Sequence, residues 1–131
     1  MDPVRLFQHD PNRQSFAAGQ QVFTQGSRRD RMYVVVSGEV EITIDGVCVE
    51  VAGPGSLVGE MALIDEGPRS SSVVARVPSD LVPVDRERFL FLVQQTPYFA
   101  LTVMKVLTER LRRMDRFLRE MIASAATTTK T

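Results

Sequence analysis

Turn-forming residues recur so often through the first 85 positions that no long helix fits there. Gly19, Gly26, Ser37-Gly38, Asp45-Gly46 and Gly53-Pro54-Gly55 fall roughly eight to twelve residues apart, the rhythm of short antiparallel strands. Asp45-Gly46 divides two alternating runs, Val40–Ile44 and Val47–Val51. Glycine takes the positive φ that a two-residue hairpin turn demands, so this is the clearest hairpin in the chain. Ser72–Val77 and Asp80–Val84 read as the last strands. Many short strands with regular turns predict a β sandwich or barrel.

At Asp85 the period changes. Asp85 caps a predicted helix over Arg86–Gln95, and Thr96-Pro97 restarts a second one. In that second helix Leu101, Met104, Leu107, Leu111, Met114, Leu118 and Met121 follow a 3-4 spacing. Such a stripe exceeds what packing on a small barrel needs, which predicts a homodimer through this helix. A helix folded wholly onto its own barrel is the other reading. The helices are expected to span about 86–122, with a disordered tail over about 124–131. Lys105, Arg110, Arg112, Arg113, Arg116 and Arg119 are interleaved with Glu109, Asp115 and Glu120. Mixed charge of this kind marks a solvated face with i,i+4 pairs, so nucleic acid is not expected as a partner.

The chain has 131 residues, the size of one domain. Sixteen acidic and sixteen basic side chains cancel, so no global field draws nucleic acid or membrane. No apolar run approaches transmembrane length, and the N-terminus lacks a signal-peptide core. Cys48 is the single cysteine, which rules out an intrachain disulfide and points to the cytoplasm. Its place in the alternating Val47–Val51 run predicts a small buried side chain.

The segment Gly55–Val73 carries the chemistry. Glu60 follows Gly59 and opens a short helix-prone run, Glu60–Ile64, while Arg69 and Ser70 follow a Gly67-Pro68 turn. Amide N–H groups at a helix start, one guanidinium and one hydroxyl make a cradle for a single phosphate. A carboxylate there would repel a bare phosphate, so Glu60 requires a ligand with hydroxyl donors as well. That is a sugar phosphate. Taken singly, Arg69 reads as a surface arginine and Glu60 as a helix-start carboxylate; it is the pairing that carries the inference.

Gly55-x3-Gly59-Glu60-x-Ala62-Leu63 followed by Pro68-Arg69-Ser70-x-Ser72-Val73 resembles the phosphate-binding cassette of cyclic-nucleotide-binding domains. The similarity extends upstream through Gly19–Phe23, Gly26, Asp30-x2-Tyr33-x-Val35-x2-Gly38 and Val40–Ile44, and covers about residues 15 to 120. The resemblance implies a single domain, an antiparallel β jelly roll over about 14–85 followed by two α-helices. It implies that Glu60 accepts from the ribose 2′-hydroxyl, with Gly59, Met61 and Ala62 turning their backbone to the ligand. Arg69 would pair with the cyclic phosphate, assisted by Ser70 and Ser71. Val49 and Val58 would line the ligand, and Arg113, Met114 or Asp115 would reach the purine from the last helix. Ligand capture would let the C-terminal helices repack and signal to a separate effector.

The implied ligand is cyclic AMP ahead of cyclic GMP, and no cofactor or metal is expected. Because the chain ends soon after the second helix, it is expected to be a stand-alone sensor without a DNA-binding domain. A docking module with vestigial nucleotide binding is the alternative. An enzyme is not expected: His9 is the one histidine, too few for a metal-dependent oxygenase site or for a serine nucleophile's base.

Overall fold

The helix α1 (Pro3–Phe7) leads into β1 (Gln14–Phe16), β2 (Gln21–Phe23), β3 (Arg31–Ser37), β4 (Val40–Ile44), β5 (Val47–Ala52) and β6 (Leu57–Val58). A single helical turn, Glu60–Leu63, precedes β7 (Ser72–Ala75) and β8 (Ser79–Asp85), and α2 (Arg86–Gln95) and α3 (Tyr98–Thr129) follow. This is a computed structural model, and it describes residues 3–28, 30–64 and 67–129, with side chains to 126. The strands form two four-stranded antiparallel sheets, ordered β1-β8-β3-β6 and β2-β7-β4-β5. Two such sheets followed by helices are the expected jelly roll with its C-terminal helices.

Local chemistry explains the joints. Asp45 and Gly46 take φ of 51° and 81°, both positive as a type I′ turn requires, and so close the β4–β5 hairpin. The Asp85 carboxylate accepts from the Arg88 N–H at 2.8 Å, capping α2 where the strand period ends.

β3 explains where the core sits. Tyr33 and Val35 point between the sheets and join Phe23, Val40, Val58, Val73 and Leu81. Met32, Val34 and Val36 point the other way and meet Phe7, Leu57, Phe99 and Val103 beneath the helices. Buried on both faces, β3 reads as a continuous apolar run rather than an alternation. Phe7 and Phe99 meet edge to face, ring centroids 5.9 Å apart, and so tie α1 to α3.

Two sequence expectations need correcting, the burial of β5 and the extent of the tail. Cys48 is exposed, not buried. β5 is the outermost strand of its sheet, and Val47, Val49 and Val51 are exposed along with it, so alternation there does not signal burial. On α3, of the seven stripe residues only Leu107 packs on the barrel cluster, beside Phe99, Val103 and Val106. Leu101, Met104, Leu111, Met114, Leu118 and Met121 are each more than half exposed. Finally, α3 continues to Thr129 where a tail without structure was expected. Ala123, Ser124, Ala125 and Ala126 carry the helix on, since alanine loses no side-chain entropy in a helix. The rest of that tail, Lys130 and Thr131, lies outside the described residues.

Candidate functional site

Gly59 is where the site is built. It enters the Glu60–Leu63 turn with φ 72°, and a Cβ there would lie 2.4 Å from Arg69 Nη1 and 3.1 Å from the Phe23 ring. Only glycine allows the turn to lie directly against the Arg69 guanidinium. Residues ten positions apart in sequence thus become neighbours, and Glu60 opens its turn beside Arg69.

Arg69 is 4% exposed, which is rare for a cation. Its guanidinium carbon stands 3.9 Å from the centroid of the Phe23 ring, and Nη2 lies 3.6 Å from Asp30 Oδ1. Phe23 is itself stacked on Tyr33, 6.1 Å away. Burial raises the Tyr33 hydroxyl pKa, against the opposing pull of Arg31 and Arg69. The Arg69 backbone is fixed as well: its N–H donates to Ser27 O at 2.7 Å, and its carbonyl accepts from Gly26 N–H at 2.9 Å. The arginine is held by its main chain, by a ring and by a partly exposed carboxylate. A buried, pre-aimed guanidinium of this kind suits one anionic group arriving from solvent.

Glu60 has a partner that the sequence did not disclose. Arg110 of α3 donates from Nη1 to Glu60 Oε1 at 2.5 Å and from Nη2 to the Leu57 carbonyl. Arg110 Nε lies 3.1 Å from Glu50 Oε2, off the hydrogen-bond direction, so this is an ion pair and Nε remains a buried donor without a hydrogen-bond partner. Arg113 Nη2 donates to Glu50 Oε1 at 2.9 Å. Glu60 of the cassette and Glu50 of β5 thus clamp α3 through Arg110 and Arg113. Arg110 was counted with the solvated charges of α3, yet its side chain is 13% exposed. A signal was present: Phe99, Val103, Val106 and Arg110 recur at 3-4 spacing, so Arg110 lies on the packed face.

The remaining expected ligand residues scatter. Ser70 is exposed and Ser71 half-buried at the mouth of β7. Met61 is exposed and Ala62 half-buried within the helical turn. Val58 is buried in the inter-sheet core, and Val49 is exposed on β5. Met114 is exposed on α3, and Asp115 pairs with Arg119 at 3.5 Å, an i,i+4 pair of the expected solvated kind. Arg113 alone of those three joins the Glu60 network.

Among the described residues, no group of three His, Cys, Asp or Glu side chains is placed to hold a metal ion. A separate cleft of about 480 Å³ is lined by Arg13, Arg31 and Arg88 among others. Arg13 pairs with Asp80 and Arg88 with Asp10, Arg31 shares Asp30 with Arg69, and Asp85 also lines the cleft, so its net pull on an anion is small.

Fold and site together define a jelly-roll binding domain with a buried arginine and a glutamate on one glycine-hinged loop. Residues 13–96 match the family model of the cyclic nucleotide-binding domain, and the chain belongs to that family. It is 35% identical over 108 residues to the cyclic AMP receptor protein of Thermus thermophilus, covering 79% of this chain and 50% of that protein. It is 46% identical over 72 residues to the cAMP-dependent protein kinase regulatory subunit of Yarrowia lipolytica, covering 55% of this chain and 19% of that one. The solved Thermus thermophilus catabolite activator protein superposes with a TM-score of 0.71 at 31% identity, over 91% of this chain and 62% of the other. The chain thus spans half or less of the curated relatives' length. No single described helix is long and apolar enough to cross a membrane.

Proposed function

We propose that this chain is a cytoplasmic cyclic-nucleotide sensor that binds cyclic AMP ahead of cyclic GMP and acts by binding, not catalysis. The buried Arg69 guanidinium set against Gly59 and Glu60 is the observation that carries the reading. Arg69 takes the cyclic phosphate, with Ser70 and Ser71 at the loop's outer edge. Glu60 takes the ribose 2′-hydroxyl, and the Gly59, Met61 and Ala62 backbone borders the sugar. A carboxylate has two oxygens and several lone-pair sites, so Glu60 can accept from a hydroxyl while Oε1 keeps Arg110. That shared carboxylate is what ties ligand to helix. Any movement of Glu60 on binding is felt by α3 through Arg110, and the repacked α3 carries the signal onward in a homodimer. Such a switch requires that ligand affinity differ between the two helix positions. The names of both curated relatives specify cyclic AMP, which supports that choice of purine.

Calorimetric titration with cyclic AMP and cyclic GMP tests the reading. A charge-assisted hydrogen bond is worth about 1.5–3 kcal/mol, so Arg69→Ala is expected to weaken binding by about ten- to a hundredfold. Folded, ligand-free wild type that gives no heat with either nucleotide would shift the assignment to a protein-docking module.

A further inference from the structure

The site residues form a chain of neighbours with two distinct ends. Arg69 Nη1 abuts Gly59, Glu60 follows Gly59, Arg110 joins Glu60 to Glu50, and Glu50 ends on Arg113. Glu50 comes from β5, opposite Ile42, whose side chain packs against the inter-sheet core. Cross-strand partners point to the same side of a sheet, so Glu50 faces inward, toward α3. An inward-turned charge is an ordinary device for protecting an edge strand, so the orientation alone assigns Glu50 no role and its partners must do so. Its pairing with two arginines of one helix makes it half-buried and fixed rather than solvated.

We propose that Glu50, with Arg113 beside it, is the purine-reading end of the site and selects adenine over guanine. This rests on the cyclic-nucleotide reading above: with phosphate at Arg69 and ribose at Glu60, the base extends toward the far end of the chain of neighbours. Adenine presents a donor, the N6 amino group, beside an acceptor, N7, whereas guanine presents two acceptors, O6 and N7. A carboxylate next to a guanidinium presents an acceptor beside donors. Glu50 therefore accepts from N6 while Arg113 donates to N7, from a guanidinium with five N–H groups of which Nη2 serves Glu50. Guanine would set O6 against the Glu50 carboxylate, two acceptors facing with no proton between them.

The ratio of cyclic AMP to cyclic GMP affinity isolates this end, because phosphate and ribose contacts are common to both ligands and cancel. Glu50→Gln keeps the shape and replaces one acceptor with an amide donor that can meet O6. The expected result is a wild-type preference for cyclic AMP and a ratio that falls by about tenfold or more in Glu50→Gln. A second measurement needs no variant: a cyclic purine nucleotide with hydrogen in place of the N6 amino group should bind wild type about tenfold more weakly than cyclic AMP. A Glu50→Gln ratio equal to wild type, or no penalty for the missing amino group, would overturn this assignment alone, whereas wild type that prefers cyclic GMP would overturn it together with the proposed choice of purine. Wild type that binds neither nucleotide would overturn it together with the cyclic-nucleotide reading.

Discussion

An alanine methyl at Gly59 would come within 2.4 Å of Arg69 Nη1, on a backbone with φ 72° that side chains other than glycine's seldom adopt. The left-handed conformation costs a non-glycine residue roughly 1–2 kcal/mol, and the guanidinium must also shift. Gly59→Ala is therefore expected to lower unfolding free energy by about 1–3 kcal/mol and to weaken cyclic-nucleotide binding by at least about tenfold. Denaturant unfolding and calorimetry separate the two effects. Lost stability with unchanged affinity would make Gly59 a packing residue only.

Asp80 on β8 offers a pH-dependent test away from the site. Its carboxyl is held below the ordinary 3.8, first by a hydrogen bond from the Ser15 hydroxyl and then by Arg13. A depressed folded pKa stabilises the fold above the ordinary value, and the contribution is lost as pH falls through the folded one. Asp80→Asn should cost about 0.2–1 kcal/mol at neutral pH, the worth of a partly exposed ion pair. The gap from wild type should close as pH falls below 3.8. A gap that persists in acid would mean that shape, not charge, matters at this position.

At the scale of elements, legibility followed the strength of local signals. The Asp45-Gly46 turn and the Asp85 cap were readable because each is a two- or three-residue event with its own chemistry. β1 and β2 have three residues each and β6 has two, too short to show a period, so they were marked only by the turns around them. On β5 the alternation was real but its apolar side faces outward: Glu50 and Ala52 take the inward positions, which turns Val49 and Val51 to solvent. The site divided in the same way. Glu60 and Arg69 were legible from nine residues of spacing and a glycine. Arg110 and Glu60 are 50 positions apart, and Glu50 and Arg113 are 63 apart. Periodicity tells which residues share a helix face and says nothing of what that face meets. The clamp that joins cassette to helix was therefore invisible until the chain was folded.

For the whole molecule the unresolved demand is the outer half of α3. Beyond Arg110 every described side chain is exposed, and Leu111, Met114, Phe117, Leu118, Met121 and Ile122 form an apolar strip more than half exposed. Fully burying a side chain of this type is worth roughly 1.5–3 kcal/mol. With a little over half of each still exposed, six on each of two copies supply an amount comparable to or above the roughly 4–15 kcal/mol cost of bringing two chains together. The arginines and carboxylates flanking the strip suit a helix pair with a charged rim. We expect the chain to sediment at twice its 14.6 kDa mass at micromolar concentration. Leu118→Glu should sediment as a monomer, because a carboxylate facing its symmetry mate across an apolar seam is both unpaired and repelled. Leu118 packs against nothing in the barrel cores, so the variant should keep the wild-type circular dichroism spectrum. A monomeric wild type would assign the strip to a different protein and leave the nucleotide site to act within one chain. A dimer that survives Leu118→Glu would move the interface to another surface, the exposed edge of β5 being the next to test.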